Sequence, residues 1–355
     1  MMADGTPADL TDGWHVATPE SVGLDGDLLR QIGPHFTEWD DANAHAILIA
    51  RHGKLVYEHY FTGPDTAWGR PLGTVTYDAT KLHDLRSITK SVTSLLVGIA
   101  HDHGKLSLDA PVFSFFPEHA DLRTAEKDKI TVRHLLTMSP GFAWNEDLPY
   151  SNPQNSERLM TDAPDRSRYV LEQPIVRPPG RVYIYNGGAT LLLGAILDKV
   201  TRVAVDQFAQ QALFDPLGIR EVEWIRYADN VPVVASGLRM RPRDLLKIGQ
   251  MVLENGARHG KQIVSRAWID DSVAAHINGE SLFFYGYQWW LGRSLIEREE
   301  IRWISGVGWG GQRLYIVPSR GLVIVVHAGL YDSTLFHGIV GEIVLRRYAL
   351  HSVRM

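Results

Sequence analysis

The stretch LRSITKSVTSLLVGIAHDHG, residues 85–104, decides how the chain is read. Apolar side chains at Ile88, Val92, Leu95, Leu96 and Ile99 recur at helical spacing and Gly104 supplies a stop, so the pattern predicts a helix over 87–103. Ser87 and Lys90, three apart, share a face of that helix. A serine at a helix start has its own amide free and sits at the positive end of the dipole. Its hydroxyl becomes a nucleophile when a base takes the proton, and a lysine whose pKa is lowered by burial or a neighbouring cation is such a base. Taken alone, Ser-x-x-Lys is a weak signal, more simply read as a solvated helix start with the serine as cap.

On either side of this helix the pattern changes to period two. Residues 46–61 read as a hairpin, ILIA and LVYEHYF joined at Arg51-His52-Gly53-Lys54, and RLYIV, Pro318-Ser319-Arg320-Gly321 and LVIVVHAG form a second near the other end. A helical pattern over 335–348 follows. Strands at both chain ends with helices between predict one antiparallel sheet built from both termini. Helices are expected at 131–138 and 189–200, separated by a Pro-, Asn-, Asp- and Ser-rich stretch, 139–180, too long for a passive connection. The expected fold class is α/β (α+β), with a lobe from residues 10–105 and 236–355, a helical lobe from 106–235, and an active site in the cleft between them.

Composition excludes several functions. The 355 residues are 45% hydrophobic and 22% charged, with net charge −5 and no concentrated basic stripe, which argues against nucleic acid. Cysteine is absent, which removes disulfides, thiolate metal sites and a cysteine nucleophile. The start MMADGTPADLTDGWHV has neither a basic nor an apolar signal region, and no apolar run is long enough for a bilayer. The expectation is a cytoplasmic monomer or homodimer without membrane contact, metal or cofactor.

Two further segments give the serine a context. Val182-Tyr183-Ile184-Tyr185-Asn186-Gly187-Gly188 runs into the apolar LLLGAIL, and a tyrosine there can carry protons between the serine, leaving group and water. Gly306-Val307-Gly308-Trp309-Gly310-Gly311-Gln312 lies between the strand-like EIRWIS and RLYIV; its glycines permit close approach of backbone to a ligand, and the Gln312 amide can complete an oxyanion hole with that of Ser87. It also matches G-x-G-x-x-G on paper, but a strand rather than a helix follows, so the dinucleotide reading fails.

In this order, Ser87-x-x-Lys90, the Tyr185 element and Trp309-Gly310-Gly311 resemble the penicillin-recognising serine hydrolases, nearest the class C β-lactamase-like family VIII carboxylesterases and 6-aminohexanoate-oligomer hydrolases. The stretches ITVRHLLTMSPGF, ASGLRMRPRDLLKIGQMVLENG and YGYQWWLG extend the resemblance from about residue 45 to the C-terminus. It implies a β-lactamase/transpeptidase-like fold, with Ser87 acylated, Lys90 and Tyr185 sharing the general-base and general-acid roles, and the backbone of Ser87 and Gln312 binding the oxyanion. Asn186, Trp309, Gly310 and Gly311 would then line the substrate site.

Two departures bear on substrate. The β-lactamase Tyr-x-Asn becomes Tyr185-Asn186-Gly187, without the third-place amide, and Trp309 stands where Lys or His is usual. An indole supplies apolar area and one donor instead of charge, so the expected substrates are small uncharged esters or amides. The alternatives are a β-lactamase, a D-alanyl carboxypeptidase-like enzyme, or a non-catalytic penicillin-binding-like protein. Trp144, Tyr150 and Tyr287 are further candidates for the cleft, with packing as the competing reading. No serine is centred in G-x-S-x-G. His101 and His103 point apart at a helix end and fit dipole complementation, and His327 reads as a satisfied core histidine.

Overall fold

The computed structural model describes residues 5–333 and 335–354. Its main sheet contains, in chain order, β1 (His15–Val16), β2 (Ala44–Arg51), β3 (Lys54–Tyr60), β4 (Ile277–Asn278), β5 (Phe284–Tyr285), β6 (Trp290–Ile296), β7 (Glu299–Gly308), β8 (Gln312–Val317) and β9 (Leu322–Ala328). Their spatial order is β1-β3-β2-β9-β8-β7-β6-β5-β4, antiparallel except where β1 joins β3. Both expected hairpins are present, and β2 pairs with β9, so the two chain ends meet in mid-sheet.

Alternation along these strands feeds two apolar layers. Ala46, Leu48 and Ala50 of β2 face one core with Val323 and Val325, whereas Ile47 and Ile49 face the other with Ile324 and Val326. A strand covered on both faces is apolar throughout, which is why β9 reads LVIVVHA. The terminal helices cover the second face. The first carries α1 (Ile88–Asp102) and α4 (Pro242–Leu253), beyond which lie α2 (Val132–Leu136) and α3 (Gly187–Thr201).

Within 139–180, read from sequence as loop, two short helices form at Ser156–Asp162 and Arg166–Glu172. Asn155 and Asp165 accept hydrogen bonds from the amides three residues on, so caps rather than apolar periodicity mark them. The C-terminal helix begins later than expected, at Ile339, and widens into a π-helical turn over 344–349. Among the described residues no helix is long and apolar enough to cross a membrane.

Candidate active site

The nucleophile candidate stands at a forced bend. The short strand His83–Asp84 leads into Leu85, whose amide bonds Leu238 O at 2.9 Å, and then Arg86, whose φ of +50° is left-handed. That conformation costs a non-glycine residue on the order of 1–3 kcal/mol. The Arg86 guanidinium is held 5.0 Å from the Trp68 ring centre, 4.8 Å from that of Tyr331, and 3.1 Å from Asp84. The bend puts Ser87 at the N-cap of α1 with no side-chain capping bond, so the structure sets aside the capping reading. Its Oγ instead accepts from Lys90 Nζ at 3.2 Å, and the same Nζ donates to Ala235 O at 3.1 Å. Lys90 is 2% exposed while Ser87 remains partly open.

Tyr185 lies beside this pair, its ring centre 4.8 Å from Lys90 Nζ. Burial, then the Glu146 carboxyl, hold the phenol well above its usual pKa, against the opposing pull of the Ser87 hydroxyl. Tyr185 is thus held as the neutral phenol. The next residue corrects an expectation: Asn186 is fully buried and caps α3, its Oδ1 accepting from Ala189 N at 2.9 Å. Its acceptor is spent on the helix and no part of the side chain reaches the surface.

Glu146, overlooked in the sequence, occupies the space beside Gly187. Its Oε1 accepts from the Gly187 amide and from Trp144 Nε1 at 2.9 Å. A Cβ on Gly187 would lie 2.6 Å from that oxygen and 3.3 Å from Glu157 Oε1. Burial and then Glu157 push the Glu146 carboxyl above the ordinary carboxylate range, with Lys90 pulling the other way. Nothing in the periodicity of 139–180 marks this residue; the signal was an acid in a long loop, which is usually solvated.

The third segment is the β7–β8 turn, with Gly308 ending one strand and Gln312 opening the next. Gly310 and Gly311 have φ of +81° and +98°, which explains the glycine pair. A Cβ on Gly308 would overlap the Leu85 carbonyl oxygen and lie 3.2 Å from Arg86 Cβ, so the turn abuts the bend before Ser87. Trp309 is 51% exposed and packs on His337, ring centres 3.8 Å apart, leaving indole surface for a ligand. The Gln312 side chain is buried, Nε2 donating to Ala328 O at 2.7 Å and Oε1 accepting from His327 Nδ1 at 2.9 Å, so it is committed to contacts within the protein.

The aromatic candidates divide. Trp144 lies against Gly188 at the start of α3 and supports Glu146. Tyr150 is exposed, its hydroxyl bonded to Glu157. Tyr287 is fully buried, its ring stacked on His276 at 4.3 Å and its hydroxyl bonded to Arg133. It offers a ligand no surface, which corrects its place among the substrate-binding candidates. His101 Nδ1 donates to Leu106 O at 3.0 Å. His327 is only half satisfied: its Nε2 is buried without a hydrogen-bond partner among the described residues.

With this geometry in place, the chain is assigned to a family. Residues 36–333 match the Beta-lactamase family model, and the protein belongs to that family. It is 25% identical over 324 residues to a 6-aminohexanoate-dimer hydrolase of Paenarthrobacter ureafaciens, covering 84% of this chain and 76% of that protein. It is 27% identical to Esterase EstB of Burkholderia gladioli, over 50% of this chain and 46% of the esterase. The crystal structure of a family VIII carboxylesterase superposes with TM-score 0.68 at 16% identity, covering 92% of this chain and 96% of that one. The family and these relatives are hydrolases with the β-lactamase fold, with an amidase and esterases among them.

Proposed function

We propose that this protein is a serine hydrolase that forms an acyl-enzyme on Ser87 and acts on small uncharged carboxylic esters or linear amides. The observation that carries the reading is the 3.2 Å contact from the buried Lys90 Nζ to a partly open Ser87 Oγ that caps nothing. As Oγ attacks the acyl carbonyl, its proton passes to the neutral-amine form of Lys90, which returns it to Oγ when the acyl group leaves. The amides of Ser87 and Gln312 are the candidate donors to the tetrahedral oxyanion, each such donor being worth about 10²–10³ in rate. Tyr185, kept as a phenol, protonates the leaving group and then takes a proton from the water that releases the acyl group, a role worth roughly 10²–10⁴.

Three features favour uncharged substrates. Gly187 lacks the amide that would grip a β-lactam side chain, Glu146 fills the vacated space, and Trp309 offers indole area in place of an ammonium. The esterase and amidase relatives point the same way. A panel of short and long aryl esters, an aminohexanoate dimer and a chromogenic cephalosporin, run with Ser87→Ala, tests this. Ester or amide turnover that vanishes in Ser87→Ala, with labelling of Ser87 by a fluorophosphonate, is expected. Undiminished turnover in Ser87→Ala refutes the nucleophile, and a preference for the cephalosporin refutes the substrate class.

A further inference from the structure

A buried group of side chains behind the bend has no part in this chemistry. His45 on β2, Asp65 on the strand Thr62–Ala67 and His83 just ahead of the nucleophile converge at 0%, 4% and 0% exposure. Their hydrogen bonds fix where the imidazole protons sit. Asn43 donates through Nδ2 to Pro64 O at 2.9 Å and to Gly329 O at 3.0 Å, so the atom it turns to His45 Nε2 at 3.1 Å is its carbonyl oxygen. His45 therefore carries its proton on Nε2. His83 Nδ1 lies 3.0 Å from Asp84 O, an acceptor, so His83 carries its proton on Nδ1.

The two remaining nitrogens, His45 Nδ1 and His83 Nε2, are then both bare and face each other at 2.8 Å. Lone pairs at that distance repel unless a cation lies between them. The Asp65 carboxylate completes the group, Oδ1 3.9 Å from His45 Nδ1 and Oδ2 3.8 Å from His83 Nε2. Tyr77 donates to Oδ2, but Oδ1 has no hydrogen-bond partner among the described residues. A shared proton would join the two nitrogens and leave that oxygen unsatisfied; a metal ion engages all three. Taken one from each residue, the ligand atoms all lie within 4.8 Å of one another, a spacing that one ion can bridge after small side-chain adjustments.

We propose that His45, His83 and Asp65 form a buried site for a divalent transition metal, with zinc the ion their chemistry fits. Two imidazoles and one carboxylate suit zinc and disfavour magnesium or calcium, which take oxygen shells. The ion would join β2, the 62–67 strand and the segment entering the Ser87 bend, a positioning role outside the reacting atoms. His327, stacked on His83 with ring centres 4.5 Å apart and bonded to Gln312, extends the contact to the third motif.

The test is metal content of the full-length protein, incubated with Zn²⁺ and passed into metal-free buffer. About one zinc per chain is expected, retained in the surface control His351→Gln and lost in His83→Gln and Asp65→Asn. Because those variants remove buried groups, their folding is followed by circular dichroism. A second measurement needs no variant: zinc held in this site resists a chelator under native conditions and is released when urea unfolds the chain. Absence of stoichiometric zinc in the unmodified protein overturns the proposal in favour of a shared proton. So does zinc that a chelator strips at once, or that folded His83→Gln and Asp65→Asn retain, since either assigns the metal to surface histidines.

Discussion

Gly187→Ala tests whether Glu146 is the reason for the glycine in the second motif. Residue 187 opens α3 without a left-handed backbone, so alanine meets no strain and by helix propensity alone would stabilise by about 0.5–1 kcal/mol. Against this, the new methyl lies 2.6 Å from Glu146 Oε1, a carboxylate oxygen bonded to the residue's own amide and to Trp144. At pH 9, above its raised pKa of about 8, Glu146 is ionised, and displacing it weakens two hydrogen bonds to a charged group, each worth roughly 1.5–3 kcal/mol. If half of that is recovered by relaxation, the net expectation is a destabilisation of about 1–2 kcal/mol. In the Glu146→Ala background the obstacle is gone and Gly187→Ala becomes neutral or stabilising. Urea unfolding of the four proteins at pH 9 gives the cycle, with an expected coupling of about 1–3 kcal/mol. Equal effects of Gly187→Ala in both backgrounds would refute the steric account.

Tyr185→Phe keeps the ring beside Lys90 but removes the proposed proton donor, so kcat for an aryl ester is expected to fall about 10²–10⁴-fold with little change in Tm; unchanged kcat would remove Tyr185 from the proposed mechanism. Gly308→Ala places a methyl against the Leu85 carbonyl oxygen, and separating the third motif from Ser87 should lower kcat/KM at least tenfold (about 1.4 kcal/mol), measured with the same ester. Asp198 lies near the C-terminal end of α3, where burial and then Asp206 raise its pKa to about 6 while the Val205 amide pulls it down. Its contribution to stability is present below about pH 4 and lost as pH rises through 6. Asp198→Asn should therefore stabilise at pH 8 by about 1 kcal/mol, after allowing for solvent screening of a part-exposed group, and give no gain at pH 3.5, as read by urea unfolding.

The elements legible from sequence were those with uninterrupted periodicity. The α1 helix, both hairpins and α3 lie within a few residues of expectation because each is governed by its own apolar spacing and stops. The segment 139–180 was opaque for the opposite reason: its helices rest on Asn155 and Asp165 caps and on contacts with α3. In the candidate site, the approach of Lys90 to Ser87 follows from helical spacing, a contact local in the chain. Glu146 reaches Gly187 across 41 positions of sequence, and no local pattern encodes that meeting. Tyr287 failed for a related reason. An aromatic run such as FFYGYQWW shows that rings are plentiful, but which of them faces a cleft depends on strand register.

The pairing of β2 with β9 orders events during synthesis. Arg51 must wait for Leu322, 271 residues later, before its strand gains its second neighbour. Until then the growing chain carries a β2–β3 hairpin with one open, largely apolar edge, the kind of edge that recruits other chains. Closure over such a span makes for slow folding. The same delay withholds the β7–β8 turn from Ser87, so a ribosome-bound chain holds its serine and lysine without the backbone proposed to receive an oxyanion. Hydrolytic competence would then arrive in one step, with the last strands of the sheet.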